Sequence, residues 1–441
     1  MTSTLVIAEN WCQRLSPLQG VKSPRKTWRC KGWVRQILPR VHRRLGERDQ
    51  EVFPQTGYSR QTGPAPQSDD LKYCGAHPTS LMPIPTVAPE AVAAAQKQLD
   101  AHLNEIIRWH FSPETGCPFW LDWASKNWDP RKEIHTFADL QKFPHFQDEF
   151  LRDLQPEVWV PAAFKGKPFN IFETGGTTGM PKQRIGWNDY KVDYSEFSDK
   201  ISDEHFPKGG AWLMMGPTGP RRLRLAIEHL ANVRGSSCYF IDLDPRFVKK
   251  LITNKQFDVA KQYMAHVVDQ AATILKHRKV TGLFTTPKLL EALAEKVNLW
   301  DAGIRGVFCG GTSMKPQEVR FLVEELLEGR IGFYPTYGNT LMGLAASVPL
   351  QPEDQFSVTY YAPQPRAVLR VVKPNSTGEV VQYGEFGRVE LTTLTQEFFM
   401  PRFLERDEAI RRAPRPPYAW DGVGDVRPFG AMEKNIVEGV Y

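Results

Sequence analysis

The sequence predicts an α/β fold whose parallel-rich sheet is flanked by helices. Short apolar, β-branched or aromatic runs recur at residues 211–216, 237–243, 280–286, 304–310 and 331–338. Helical patterns lie between several of them, at 259–277, 287–297 and 315–329. Such alternation implies parallel strands, because each helix returns the chain to the same end of the sheet. No run of about 18 apolar residues is present, which argues against a membrane-spanning helix.

Taken in order, residues 1–87 read as a basic leader and a Pro/Gly-rich linker, partly disordered. The first 50 residues hold 11 Lys/Arg against Glu9, Glu47 and Asp49, so the net charge of +6 is concentrated there. The remainder is close to neutral, which argues against nucleic acid as a partner. The leader, with Trp28 and Trp33, is expected to be an unstructured arm; a nucleic-acid or anionic-surface arm and a transit peptide stay open. Pro89 suits a first helical turn, and Leu99, Leu103, Ile106 and His110 follow at helical spacing. Residues 88–360 are expected to form the α/β core. Residues 361–430 are expected to form a small β subdomain, since 365–395 alternates at period two. A tail follows at 431–441. Six cysteines with no Cys-x-x-Cys pair speak against a disulfide scaffold or zinc site, and for a reducing, cytoplasmic setting.

The most informative segment is FETGGTTGMPKQR, residues 172–184. Glycines let a backbone approach an anion closely, and successive N–H groups can then cradle phosphate oxygens. The threonine hydroxyls add donors, and Lys182 adds a point charge suited to a polyphosphate. The string departs from Gly-x-x-x-x-Gly-Lys-Ser/Thr, so an ordinary P-loop is disfavoured.

That string resembles the phosphate-binding signature of the adenylate-forming superfamily of acyl-CoA synthetases, adenylation domains and luciferases. Over roughly residues 115–430 the chain looks most like its phenylacetate-CoA ligase branch. The resemblance rests also on CPFWLDWASKNWDPRKEIHTFADLQKFP, GLFTTPKLLEALAE, VFCGGTSMKPQEVRFLVEE, YPTYGNTLMG, GEFGRVELTTLT and WDGVGDV. It implies that fold's large N-terminal-type domain, with ATP and Mg²⁺ as cofactors. Thr174, Lys182 and Thr340 would be catalytic. Gly175, Gly176, Thr177, Thr178 and Gly179 would hold phosphates, and Gly310, Gly311 and Thr312 would border the adenine and the acyl group. Tyr337 and Gly338 would lie against the adenine, and Asp425 would accept from the ribose hydroxyls. For the acid, the candidates are Trp212, Met215, Phe284, Phe308, Tyr334, Met342 and His229, with a core role open for each. Arg221, Arg222 and Arg224 form either a second-carboxylate site or a solvated basic turn.

Two departures stand out. Leu341 occupies the place of the family's Mg²⁺-binding Glu, with Glu173 and Glu385 as stand-ins. The family's C-terminal domain, which carries a Lys for adenylation, has no counterpart expected in the residues after Asp425, and Lys434 in the tail is a minor candidate to replace that Lys. The shortened form resembles proteins of phenazine and benzoxazole antibiotic pathways. The implied enzyme is an acid–AMP-forming ligase that adenylates an aromatic carboxylic acid. The adenylate would pass to a small acceptor, such as a second hydroxy-aryl acid, or to a downstream enzyme. An aryl-CoA ligase and a non-catalytic nucleotide-binding protein are the alternatives. Oligomeric state carries no signal, and a homodimer stays open.

Overall fold

The computed structural model describes residues 86–176, 180–219, 222–311 and 313–430. The expectations for the leader, the tail with Lys434, and Thr177, Thr178, Gly179, Arg221 and Thr312 lie outside the described residues.

Helix α1 (Pro89–Phe111) starts with proline at its first turn and buries Leu99, Leu103, Ile106, Ile107 and Phe111. Helix α2 (Pro118–Lys126) follows, and its Trp120 donates its indole N–H to the Phe399 carbonyl at 3.0 Å. Strands β1 (Asn170–Glu173) and β2 (Gln183–Gly186) form a separate antiparallel pair joined by the glycine-rich loop.

The parallel strands are β3 (Trp212–Met215), β4 (Cys238–Ile241), β5 (Gly282–Thr285), β6 (Gly306–Cys309) and the first part of β7 (Gly332–Asn339). They lie in the order β4-β3-β5-β6-β7. Every residue of β3, β5 and β6 is buried, which is why these strands read as continuous apolar runs. Alternation divides them between two cores. Leu213, Met215, Leu283 and Val307 face one, which includes α6 (Phe257–His277) and α7 (Pro287–Ala294). Trp212, Met214, Phe284 and Phe308 face the other, built with α3 (Asp189–Ser198) and α4 (Arg222–Val233). Helix α5 (Pro245–Thr253) is capped by the Asp244 carboxylate, which accepts from the N–H groups of Arg246 and Phe247.

Strand β7 changes partner midway. Gly332–Pro335 pair parallel with β6, and Thr336–Asn339 pair antiparallel with β8 (Gly343–Ser347). From there the sheet runs through β9 (Thr359–Tyr361), β13 (Gly422–Pro428), β12 (Phe399–Arg412), β11 (Phe386–Leu394) and β10 (Ala367–Val372). The period-two pattern of 365–395 is thus β10 and β11, hydrogen-bonded into the same eleven-stranded sheet as the parallel strands. Strand β12 had no sequence signal, because RFLERDEAIRR interrupts its apolar residues with charge. Cys117, Cys238 and Cys309 are free. Among the described residues no helix is long and apolar enough to cross a membrane.

Candidate active site

A cavity of about 780 Å³ opens where β7 changes partner, at the carboxyl ends of the parallel strands. That is the place where open α/β sheets take ligands. One end is the β1–β2 loop. The Thr174 N–H donates to the Lys182 carbonyl and the Lys182 N–H donates to the Thr174 hydroxyl, both at 3.0 Å. The loop is closed at its base, and Gly176 takes a positive φ of 64° that favours glycine. Lys182 Nζ lies 3.4 Å from the Asp148 carboxylate and 4.5 Å above the Phe403 ring centroid. A second ammonium, Lys249 Nζ, would sit 3.3 Å from a Cβ placed on Gly175. Burial, with Arg406 and Arg246 nearby, pulls Lys249 down to about 8.

The turn after β7 faces this loop. Asn339 Oδ1 accepts from the N–H groups of Leu341 and Met342 at 2.8 Å, while its amide donates to Glu405 Oε1 at 2.7 Å. The Thr340 hydroxyl donates to the Glu173 carbonyl at 3.3 Å. The Tyr337 hydroxyl donates to Asp407 at 2.7 Å. Burial pushes the carboxyls of Glu405 and Asp407 above their usual range, while the Lys182 and Arg406 cations work against that rise. Asp425, at a left-handed φ of 48°, accepts from the Ser357 hydroxyl at 3.0 Å and from Arg412 at 3.1 Å. Gly310 packs close to Thr336, where a Cβ would lie 3.0 Å from the threonine hydroxyl oxygen.

Arg184 links the two ends. Its guanidinium is buried, donates to the Leu341 carbonyl at 2.7 Å, and pairs with Asp189. Asp189 also accepts from Arg222 Nη1 at 2.9 Å. Arg222 and Tyr194 line the far end of the cavity with Phe284, Phe308, Leu223 and Leu344.

The cavity therefore brings together Thr174, Gly175, Gly176, Lys182, Gly310, Gly311, Tyr337, Gly338, Thr340, Asp425, Phe284 and Phe308. Five candidates for the acid do not line it. Trp212 opens β3, away from the strand's carboxyl end, and stacks on Phe206 at 4.8 Å. Met215 ends β3 but faces the opposite core, where Met342 is also buried. Tyr334 lies on β7 before the partner change, and its hydroxyl is 2.9 Å from His205 Nδ1. His229 Nε2 is 2.9 Å from the Ser195 hydroxyl and ties α4 to α3.

Of the proposed carboxylate stand-ins, Glu385 is exposed and accepts from the Gln382 N–H within a turn. Glu173 lines the cavity, but Arg246 takes its carboxylate at 2.7 Å. The basic-turn reading fails for Arg222, which is 6% exposed. Sequence reasoning missed Asp148, Lys249, Glu405 and Asp407, which become neighbours only through the fold.

An open-conformation structure of 2-hydroxyisobutyryl-CoA ligase with 2-HIB-AMP and CoA is similar to this chain, with a TM-score of 0.53 and 15% identity. The match covers 76% of this chain and 74% of that one. The same ligase in its thioesterification state matches with a TM-score of 0.54 and 15% identity, over 76% and 68% of the two chains. The chain has the adenylate-forming ligase fold. A scan against protein-family models finds no match, and neither does a search of curated proteins.

Proposed function

We propose that this protein adenylates an aromatic carboxylic acid with ATP, releasing pyrophosphate. The observation that carries this reading is that one cavity gathers the glycine-rich loop with Lys182, the Tyr337–Thr340 turn, Asp425 and an aromatic compartment. In the reaction a carboxylate oxygen of the acid attacks the α-phosphorus. The acyl–O–P bond forms as the bond to the β-phosphate's bridging oxygen breaks, and pyrophosphate leaves with that electron pair. The protein's part is positioning and charge stabilisation. Loop N–H groups and Lys182 hold the outer phosphates, Thr340 meets the α-phosphate, Tyr337 packs on the adenine, and Asp425 accepts from the ribose.

Mg²⁺ takes one or two carboxylates together with substrate phosphates, so it needs no protein cage. Among the described residues no group of three or more His, Cys, Asp and Glu side chains is arranged to hold a metal. Glu405, a cavity-lining carboxylate held by the Asn339 amide, would be the residue to take the role that Leu341 cannot fill. Bound there, the ion would neutralise polyphosphate charge.

The resemblance of residues 115–430 to the phenylacetate-CoA ligase branch supports an aromatic acid, and we place the reaction in antibiotic biosynthesis in the cytoplasm. The adenylate would go to a small acceptor or a partner enzyme. The test is ATP–pyrophosphate exchange against benzoate, salicylate, anthranilate, hydroxyanthranilate and phenazine carboxylates, with and without coenzyme A. Exchange with one acid class is expected. The buried Leu341 favours one other reading, a nucleotide-binding protein without turnover. ATP binding with no exchange for any acid would establish that reading instead.

A further inference from the structure

The chemistry proposed above leaves Lys249 without a role. Helix α5 fixes its position: Pro245, Val248 and Leu251 are buried, and the Asp244 carboxylate caps the first turn. Lys249, next to Val248, is half-buried and lines the cavity together with Pro245. Its Nζ lies against the backbone of the glycine-rich loop, 3.3 Å from where a Cβ on Gly175 would be. An anion cradled by the N–H groups of that loop is therefore held beside this ammonium.

The two lysines at the loop stand in different fields. Lys182 has the Asp148 carboxylate 3.4 Å from its Nζ. The charges that shift Lys249 are Arg406, from β12 across the cavity wall, and Arg246, one turn earlier on α5. Arg246 pairs with the Glu173 carboxylate at 2.7 Å, and Arg406 lines the cavity. Burial and these two cations bring Lys249 down to about 8, so the fold works against its charge. A polyanion on the loop reverses the sign of that field. Two ammonium groups at one glycine-rich loop suit a chain of phosphates better than a single one.

We propose that Lys249 is a second polyphosphate ligand, which with Lys182 holds the β- and γ-phosphates of ATP and the pyrophosphate that leaves. The choice of ATP rests on the adenylation reading, but the recognition of a polyphosphate does not. Binding is then coupled to a proton. At pH 8 Lys249 is partly deprotonated, and the phosphates draw it back to the ammonium form, so ATP binding takes up about half a proton. An arginine at this position stays charged and binds without that uptake.

The experiment is calorimetry of ATP, pyrophosphate and AMP on the full chain, Lys249→Met and Lys249→Arg. Affinity is read at pH 7. Proton uptake on ATP binding is read at pH 8 in two buffers of different ionisation enthalpy, and the difference from Lys249→Arg cancels protons exchanged by the ligand itself. In Lys249→Met, ATP and pyrophosphate affinities should fall roughly 10- to 100-fold while AMP affinity holds. Lys249→Arg should restore the affinity without the uptake. Equal losses for ATP and AMP, unchanged affinities in Lys249→Met, or the same uptake in wild type and Lys249→Arg would each overturn the proposal. So would a wild-type chain that binds neither ATP nor pyrophosphate. Thermal unfolding checks that each variant folds, and if Lys249→Met does not, the proton difference between wild type and Lys249→Arg decides alone. Polyphosphate binding that depends on Lys249, with no ATP–pyrophosphate exchange for any acid, would remove the adenylation reading and keep this one.

Discussion

Where the parallel half of the sheet borders the cavity, it presents Gly310, Gly311, Phe284 and Phe308. Where the antiparallel half borders it, it presents Glu405, Asp407, Asp425, Arg388, Arg406 and Arg427. Parallel strands stop at the cavity, so they reach it with their last side chains and with the backbone of the loops that follow. Antiparallel strands run alongside it and deliver charged residues two apart, such as 405 and 407 or 425 and 427. One half supplies shape and the other supplies charge, and the β1–β2 hairpin clamps them together.

The largest break should come at that clamp. Arg184→Met leaves Asp189 buried with half its partners and frees the Leu341 carbonyl. Breaking a buried pair of this kind costs about 3–5 kcal/mol, which urea unfolding would read as an earlier midpoint with an unchanged slope. Next is Lys182→Ala, which removes charge from the glycine-rich loop. We expect a loss in ATP–pyrophosphate exchange of roughly 100- to 1,000-fold, the size seen when one preorganised donor is deleted. AMP binding should suffer much less, and equal damage to both would contradict Lys182's assignment to the outer phosphates.

The Arg222 end of the cavity has its own signature in pH. Burial lifts the Asp193 carboxyl to about 6, with Arg366 and Arg222 opposing. A carboxyl raised on folding stabilises fully below its unfolded value near 4, and that stabilisation is lost as pH rises through 6. In Asp193→Asn this component, about 2–3 kcal/mol from the size of the shift, should vanish from the stability difference between pH 4 and 7. A difference curve flat over that window in both proteins would show that the carboxyl titrates normally. Asp425→Ala is the gentlest change. Losing a hydrogen bond to a charged group should weaken ATP binding by about 1.5–3 kcal/mol, measured by calorimetry. An unchanged dissociation constant would separate Asp425 from the ribose.

These contrasts explain what could be read in advance. Thr174–Lys182, Gly310–Gly311 and Tyr337–Thr340 are contiguous strings, because a loop at a strand end brings neighbouring residues to the cavity in one stretch. Apolar runs announced β3, β5 and β6 because both faces of each are covered. Side-chain direction was not legible: Trp212 and Met215 share one strand, yet they face opposite cores. Glu405 and Asp407 were invisible because RFLERDEAIRR reads as solvated charge. Only β11 and β13 on either side make it an interior strand. Arg222 reads as part of a basic turn because its partner, Asp189, lies 33 residues earlier in the chain.

Arg184 has a last consequence. The guanidinium sits two residues past Lys182, grips the carbonyl beside Thr340, and shares Asp189 with Arg222. On the adenylation reading, the span from the glycine-rich loop to the Arg222 end of the cavity is therefore a rigid ruler rather than the sum of two independent pockets. An acid lengthened by one methylene would still gain apolar contact, but its carboxylate would overshoot the α-phosphorus. Length discrimination should then fall on kcat rather than on KM, because misplacing a reacting atom by about 1 Å can cost roughly 100-fold in rate.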